Sequence, residues 1–239
     1  MKLFNKLRFK MVKGKRLKNY LVYAIGEIIL VVLGILIALY LNNWSGQNQI
    51  KETNIALQKK VLIQLEKDIF KIDNFRKELD TLDNVYLSYL KRDYDKTKTV
   101  GKNVFSLILF EVTELGLDKN NQSLISNSQL DNSKASQKLT DLNAIYKLYF
   151  KNIDDIEQVI YAKLSDNLEF LEQTQPWYTE LITDFHCKTD CAKFLGTDDN
   201  FKARIASLRL LYIKAYGDLV RGFHSELRRE KVSLETLLE

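Results

Sequence analysis

The chain is poor in residues that break helices. It has one proline and nine glycines among 239 residues. A β-sandwich or a doubly wound α/β fold needs many turns, and so few breakers leave little room for them. Histidine and cysteine are scarce too, at two each, which limits any metal site. The motifs G-x-G-x-x-G, G-x-x-x-x-G-K-[ST], H-E-x-x-H and G-x-S-x-G are missing, so the linear signals for nucleotide binding, zinc proteolysis and the α/β-hydrolase nucleophile are missing as well. No catalytic residue, cofactor-binding residue or metal ligand set emerges, and neither an enzymatic activity nor a cofactor is expected.

Acid is lacking in one place only. Residues 1–19 contain eight Lys or Arg and no Asp or Glu. The net charge of +5 less this +8 leaves −3 on the other 220 residues. A nucleic-acid-binding protein concentrates its basic residues on the folded domain. Here they sit in a tail, and no nucleic-acid partner is expected.

After the tail comes the longest apolar run, Leu21 to Leu41, with fourteen Leu, Ile or Val residues. At ~1.5 Å per residue it is long enough to cross ~30 Å of hydrocarbon. Those side chains favour insertion by about 4–8 kcal/mol, against a cost of at most about 3 kcal/mol for the one acid, Glu27. Tyr20, Tyr23, Tyr40 and Trp44 stand near the two ends, as an interfacial belt would. A signal peptide is the rival reading, but its apolar core is shorter, and "YLNNWSG" offers no small-x-small cleavage site. Eight basic residues precede the run, and only Lys51, Lys59 and Lys60 follow within twenty residues. The positive-inside rule therefore puts residues 1–19 in the cytoplasm as a basic tail, the membrane helix at 20–42, and an extracytoplasmic domain at 43–239. The expected location is an inner membrane, with lipid as one partner. Leu3, Phe4, Leu7 and Met11 have helical spacing, so the tail has the pattern of an amphipathic helix on the anionic leaflet or of a plain topology signal.

Glu27, Gly34 and Ala38 share one face by their spacing, and Gly34-x-x-x-Ala38 is a small-xxx-small pair. One reading is a transmembrane packing face for self-association or a protein partner, with Glu27 at the interface. The other is that Glu27, about 9 Å inside the boundary, reaches back to the inner headgroups.

The run Tyr23-Ala24-Ile25-Gly26-Glu27-Ile28, through Gly34-Ile35-Leu36-Ile37-Ala38-Leu39 to Asn42-Asn43-Trp44, resembles the N-terminal signature of a bacterial domain-of-unknown-function family. These are single-pass membrane proteins common in Bacteroidota. The resemblance covers residues 20–44 and the basic tail before them, and is loose beyond. It implies an inner-membrane protein with a helical region outside the cytoplasm, and it makes Glu27 part of the anchor's design. It brings no activity, cofactor or site residue.

The rest reads as all-α, an antiparallel helical bundle after the membrane helix. Leu65, Ile72, Leu79 and Tyr86 are seven apart within 47–92, flanked by Val61, Phe75, Leu82 and Tyr89. A loop is expected at 93–102, a short helix at 103–115, and a polar loop at 116–134 with one helical turn near Leu124. A third helix is expected over 136–173, with Leu139, Tyr146, Ile153 and Ile160 as its stripe, closed by Pro176. The last helix starts near Asn200, with Asp198 or Asp199 as cap and Phe201, Ile205, Leu208, Tyr212, Ala215, Leu219, Phe223 and Leu227 as its face. A two-chain coiled coil would use the same stripes. The 93–134 region favours a chain folded back on itself.

"HCKTDC" holds His186, Cys187, Asp190 and Cys191. A Cys187–Cys191 disulfide fits an oxidising compartment. Free thiols and a metal site are the alternatives, the latter short of ligands because the only other histidine is His224. The acids Asp154, Asp155 and Glu157 fit a solvated helix face, and Tyr146, Tyr149, Tyr161, Tyr212 and Tyr216 fit core or core-edge positions. The leading functional expectation is a membrane-tethered scaffold or protein-interaction module. The alternative is a ligand-sensing helical body acting through a partner protein.

Overall fold

The computed structural model describes residues 17–91, 104–185 and 187–238. The expectations for the tail before residue 17, and for the loop at 93–102, lie outside them. The chain divides into two compact units, Met1–Asn54 and Ile55–Glu239.

The fold is all-α, and among the described residues there is no strand. The helices are α1 (Leu17–Leu90), α2 (Val104–Leu109), α3 (Asn120–Ser126), α4 (Lys134–Thr174), α5 (Tyr178–Asp184), α6 (Thr189–Thr197), α7 (Asp199–Arg209) and α8 (Tyr216–Leu238), with a π-helical turn at Leu210–Ala215 joining the last two. The apolar run and the first amphipathic stripe lie on one helix, α1. Neither Asn42-Asn43 nor Gly46 interrupts it.

Within the second unit, core formation follows the stripes. Val61, Leu65, Ile72, Phe75, Leu79, Tyr86 and Tyr89 of α1 are buried. So are Leu139, Leu142, Tyr146, Ile153 and Ile160 of α4. Ser133 caps α4, its hydroxyl accepting from the Ser136 N–H at 3.1 Å, and the helix stops at Thr174, two residues before Pro176. Asp198 caps α7 by accepting from the Phe201 N–H at 2.7 Å, a contact worth about 1 kcal/mol.

Helix direction follows from the pairs that meet. Glu66 with Lys231 and Asp83 with Arg209 run α1 antiparallel to α7–α8. Lys138 with Glu230, Glu157 with Tyr216, and Phe170 with Phe201 do the same for α4. α1 and α4 are therefore parallel, and the chain must return between them. It does so as a strap over residues 104–133. Phe105 meets Tyr89, Leu115 meets Tyr216, Asn121 meets Tyr146, and Ser126 meets Asn143. The expected helix over 103–115 is only α2. Beyond it the strap is mostly irregular apart from α3, and at Thr113 and Leu115 its backbone is held by tyrosine hydroxyls of the π turn and α8.

The last helix departs from expectation at two positions beside the π turn. Ala215 is exposed and Leu219 half-buried, while Tyr216 and Val220 are buried. The π turn is the reason. Its i→i+5 bonds insert one residue, so the expected stripe falls one place short at Ala215 and Leu219, while Phe223 and Leu227 further along are buried as expected. Below the turn Phe223 packs on Tyr149, Tyr146 and Phe150, at ring-centroid distances of 4.7, 5.6 and 6.1 Å. Gly222 permits the Tyr149 contact, since a Cβ there would lie 3.0 Å from the Tyr149 hydroxyl.

Candidate functional site

Three places could carry function: the apolar part of α1, the disulfide segment, and the polar groups inside the body.

From Leu21 onward α1 is long and apolar enough to cross a membrane, by length and composition. None of the most apolar stretch is buried within the chain. Gly34 and Ala38 are exposed, Glu27 is half-buried, and a Cβ built at Gly34 would meet nothing within 4 Å. The three residues lie on one helix at the expected spacing.

Cys187 and Cys191 are joined by a disulfide, with Cα atoms 5.3 Å apart. The clasp ties the chain leaving α5 to the first turns of α6. Cys191 is buried and Cys187 half-buried. Just before it, Phe185 ends α5 in the left-handed region at φ 49°. Asp190 is exposed, and His186 lies outside the described residues. His224 is held in α8 against α1, with Nε2 3.0 Å from Asp73 Oδ1, poorly aligned for a hydrogen bond, and Nδ1 3.3 Å from Arg76 Nη1. Burial pushes the His224 imidazole down, and Arg228 and Arg76 add to this against the pull of Asp73. Among the described residues no three His, Cys, Asp or Glu side chains are grouped to hold a metal ion.

The buried polar groups are what the sequence reading overlooked. Asp68 accepts from the Tyr146 hydroxyl at 2.6 Å, from Gln64 Nε2 at 2.9 Å and from Asn121 Nδ2 at 3.4 Å. Asn121 also donates to the Tyr146 hydroxyl at 2.9 Å. This links α1, α4 and the strap through one carboxylate. Burial raises the Asp68 carboxyl above the usual range, against hydrogen bonds from Tyr146 and Gln64 that favour its anion. Burial, then the neighbouring Asp68, pushes the Tyr146 phenol up. A signal was present in the sequence. Asp68 falls in the run 61, 65, 68, 72, 75, where every other member is apolar. Asn167, between Leu164 and Leu171, and Glu230, between Leu227 and Leu234, do the same and are also buried.

A second group clips the strap higher up. The Thr113 N–H donates to the Tyr212 hydroxyl at 2.7 Å, and the Leu115 N–H to the Tyr216 hydroxyl at 2.9 Å. Tyr216 in turn donates to Glu157. Glu157 is thus no member of a solvated face, unlike Asp154 and Asp155, which are exposed. It is half-buried because Tyr216 and the strap cover it, and that burial raises its carboxyl. The strap turns away at Gly116, whose φ of +59° lies in the left-handed region that glycine enters without steric cost. Of the five tyrosines expected in the core or at its edge, Tyr146, Tyr212 and Tyr216 are fully buried and Tyr149 is half-buried, whereas Tyr161 is exposed, against expectation.

Chemically these groups are closed. Asp68, Asn121 and Tyr146 are each at most 1% exposed, so no substrate reaches their oxygens. Their hydrogen bonds run to one another and to Gln64, and they hold the strap to the helices.

No family model, no curated protein and no solved structure matches the chain.

Proposed function

We propose that the chain is a single-pass protein of a bacterial inner membrane. Its N-terminus lies in the cytoplasm, and its helical body beyond the membrane serves as a tethered scaffold or protein-interaction module. The observation that carries this reading is the contrast within α1. The large apolar side chains from Leu21 to Leu41 are exposed, whereas the stripe from Leu57 to Tyr89 is buried. A soluble core helix would bury both. A Cys187–Cys191 disulfide fits an oxidising compartment, and the basic residues before Leu21 favour the same orientation. The resemblance over residues 20–44 points the same way. Asp68, an acid on the apolar stripe of α1, is sealed in the core, which favours a binding role over catalysis.

Alkaline carbonate extraction of native membranes, with proteolysis of intact spheroplasts, tests the reading. The full-length chain should stay in the membrane pellet, and external protease should remove the body. A body released into the soluble fraction with a new N-terminus after the apolar run would overturn the anchor. A body protected in intact spheroplasts would overturn the orientation.

A further inference from the structure

We propose that the groove between residues 55–90 of α1 and the facing side of α8 is a self-association surface, and that its occupant is a second copy of this chain. This rests on the reading of the body as an interaction module and names its partner.

The groove is lined by Ile69 and Phe70 of α1 and Val232 of α8, with charged residues along both walls. Phe70 is 67% exposed and Val232 62%. Both lie off the core stripes of their own helices and leave most of their apolar surface uncovered. Ile63, 57% exposed, lies seven residues before Phe70 on the same side of α1. Single exposed apolar side chains are ordinary. Three on one face around a groove are a surface waiting for cover.

The charges choose the cover. The α1 wall carries Glu66 and Asp73; the α8 wall carries Arg228 and Lys231 with Glu235. Within one chain Lys231 Nζ lies 2.9 Å from Glu66 Oε1 and 3.2 Å from Glu235 Oε1, and Arg228 Nη2 lies 3.5 Å from Asp73 Oδ2. A partner of uniform charge would meet a wall of its own sign. A second copy does not. A two-fold axis along the helices sets the acidic wall of each copy on the basic wall of the other, which is the self-complementary pattern of an isologous interface. Surface ion pairs are individually weak, so exchanging them between copies costs little. Tethering to one membrane would align the copies and raise their effective concentration.

The test uses the full-length chain in native membranes, with the photo-cross-linker benzoylphenylalanine in place of Phe70. The expected product has twice the 27.9 kDa chain mass and contains this chain alone. Val232→Glu should reduce it at least tenfold. Glu66→Lys should reduce it too, and adding Lys231→Glu should restore it, because the walls are then opposite again. The same cross-linker in place of Leu148, an exposed apolar residue on α4, should give no dimer. Circular dichroism checks that each variant stays helical. Loss of the chain from the membrane overturns the anchor reading. A membrane-held, helical chain whose Phe70 position yields no dimer, or captures a different protein, overturns this inference. So does a dimer that Gly34→Leu abolishes and Val232→Glu leaves intact.

Discussion

Leu33 and Leu65 are the same residue on the same helix, yet Leu33 is 51% exposed and Leu65 fully buried. Their neighbours explain the difference. Around Leu33 the helix is apolar on every side. Around Leu65 the apolar residues keep to one side, and Gln64, Glu66 and Lys67 hold the other. A one-sided stripe can be buried by a few helices of the same chain. An all-round apolar surface would need a complete sleeve of protein, and nothing among the described residues supplies one. Lipid would. On the membrane reading proposed above the two stretches are written for two solvents, and the sharpest predictions are those that trade one pattern for the other.

The largest effect is expected from charging the all-round surface. Ile29→Arg with Val32→Arg should cost about 5–7 kcal/mol near the middle of a bilayer, before counting the apolar groups lost. That cancels most or all of the about 4–8 kcal/mol favouring insertion. Carbonate extraction should then find the chain outside the pellet, while the body's melting temperature stays unchanged. A double variant that remains membrane-held would mean that the run is not crossing lipid.

The converse change cuts into the one-sided pattern. Phe223 fills the space between Tyr146, Tyr149 and Phe150. Phe223→Ala should cost about 3–5 kcal/mol, a fall of about 10 °C in the midpoint of thermal unfolding for a body of this size. Membrane retention should not change. If a loss under 1 °C were measured, the aromatic cluster would not be the centre of the core.

These two patterns were legible because each depends on residue type at regular spacing. Leu65, Ile72, Leu79 and Tyr86 are all buried as their seven-residue repeat requires. The stop of α4 and the cap of α7 were readable because Pro176 and Asp198 act on the adjacent backbone, whereas the cap of α4, Ser133, went unread. The strap was not. It has no repeat of its own, and its order comes from Tyr212, Tyr216 and Asn121, of which the two tyrosines stand about a hundred residues further along the chain. The π turn was invisible because an inserted residue leaves no mark on composition, only on the register after it. Asp68 was missed for another reason. A polar residue on an apolar stripe reads as an exception until its partners, one of them 78 residues away, are in place.

The smallest effect, and the one that probes the buried carboxylate directly, is in the pH dependence of stability. The Asp68 carboxyl is raised, mainly by burial. A raised carboxyl binds its proton in the folded chain at a pH where the unfolded chain has already lost it. Its contribution is therefore present below the unfolded value, and is lost as pH rises through the folded one. Glu157 has the same sign, again from burial first. Asp83 has the opposite sign: burial alone would raise it, but Arg209, at 2.7 and 3.1 Å, and Lys214 hold it below the usual range. The whole-chain profile mixes these signs, so the informative quantity is a difference. Asp68→Asn keeps an acceptor for the Tyr146 hydroxyl and removes the buried charge, while the amides of Gln64 and Asn121 can turn to accept from it. At neutral pH the variant should unfold at least as high as the native chain, and its advantage should shrink between pH 7 and pH 4 as the native Asp68 takes up its proton. An Asp68→Asn body that is destabilised at pH 7 and recovers toward pH 4 would show that the three donors around Asp68 stabilise the anion by more than burial costs it.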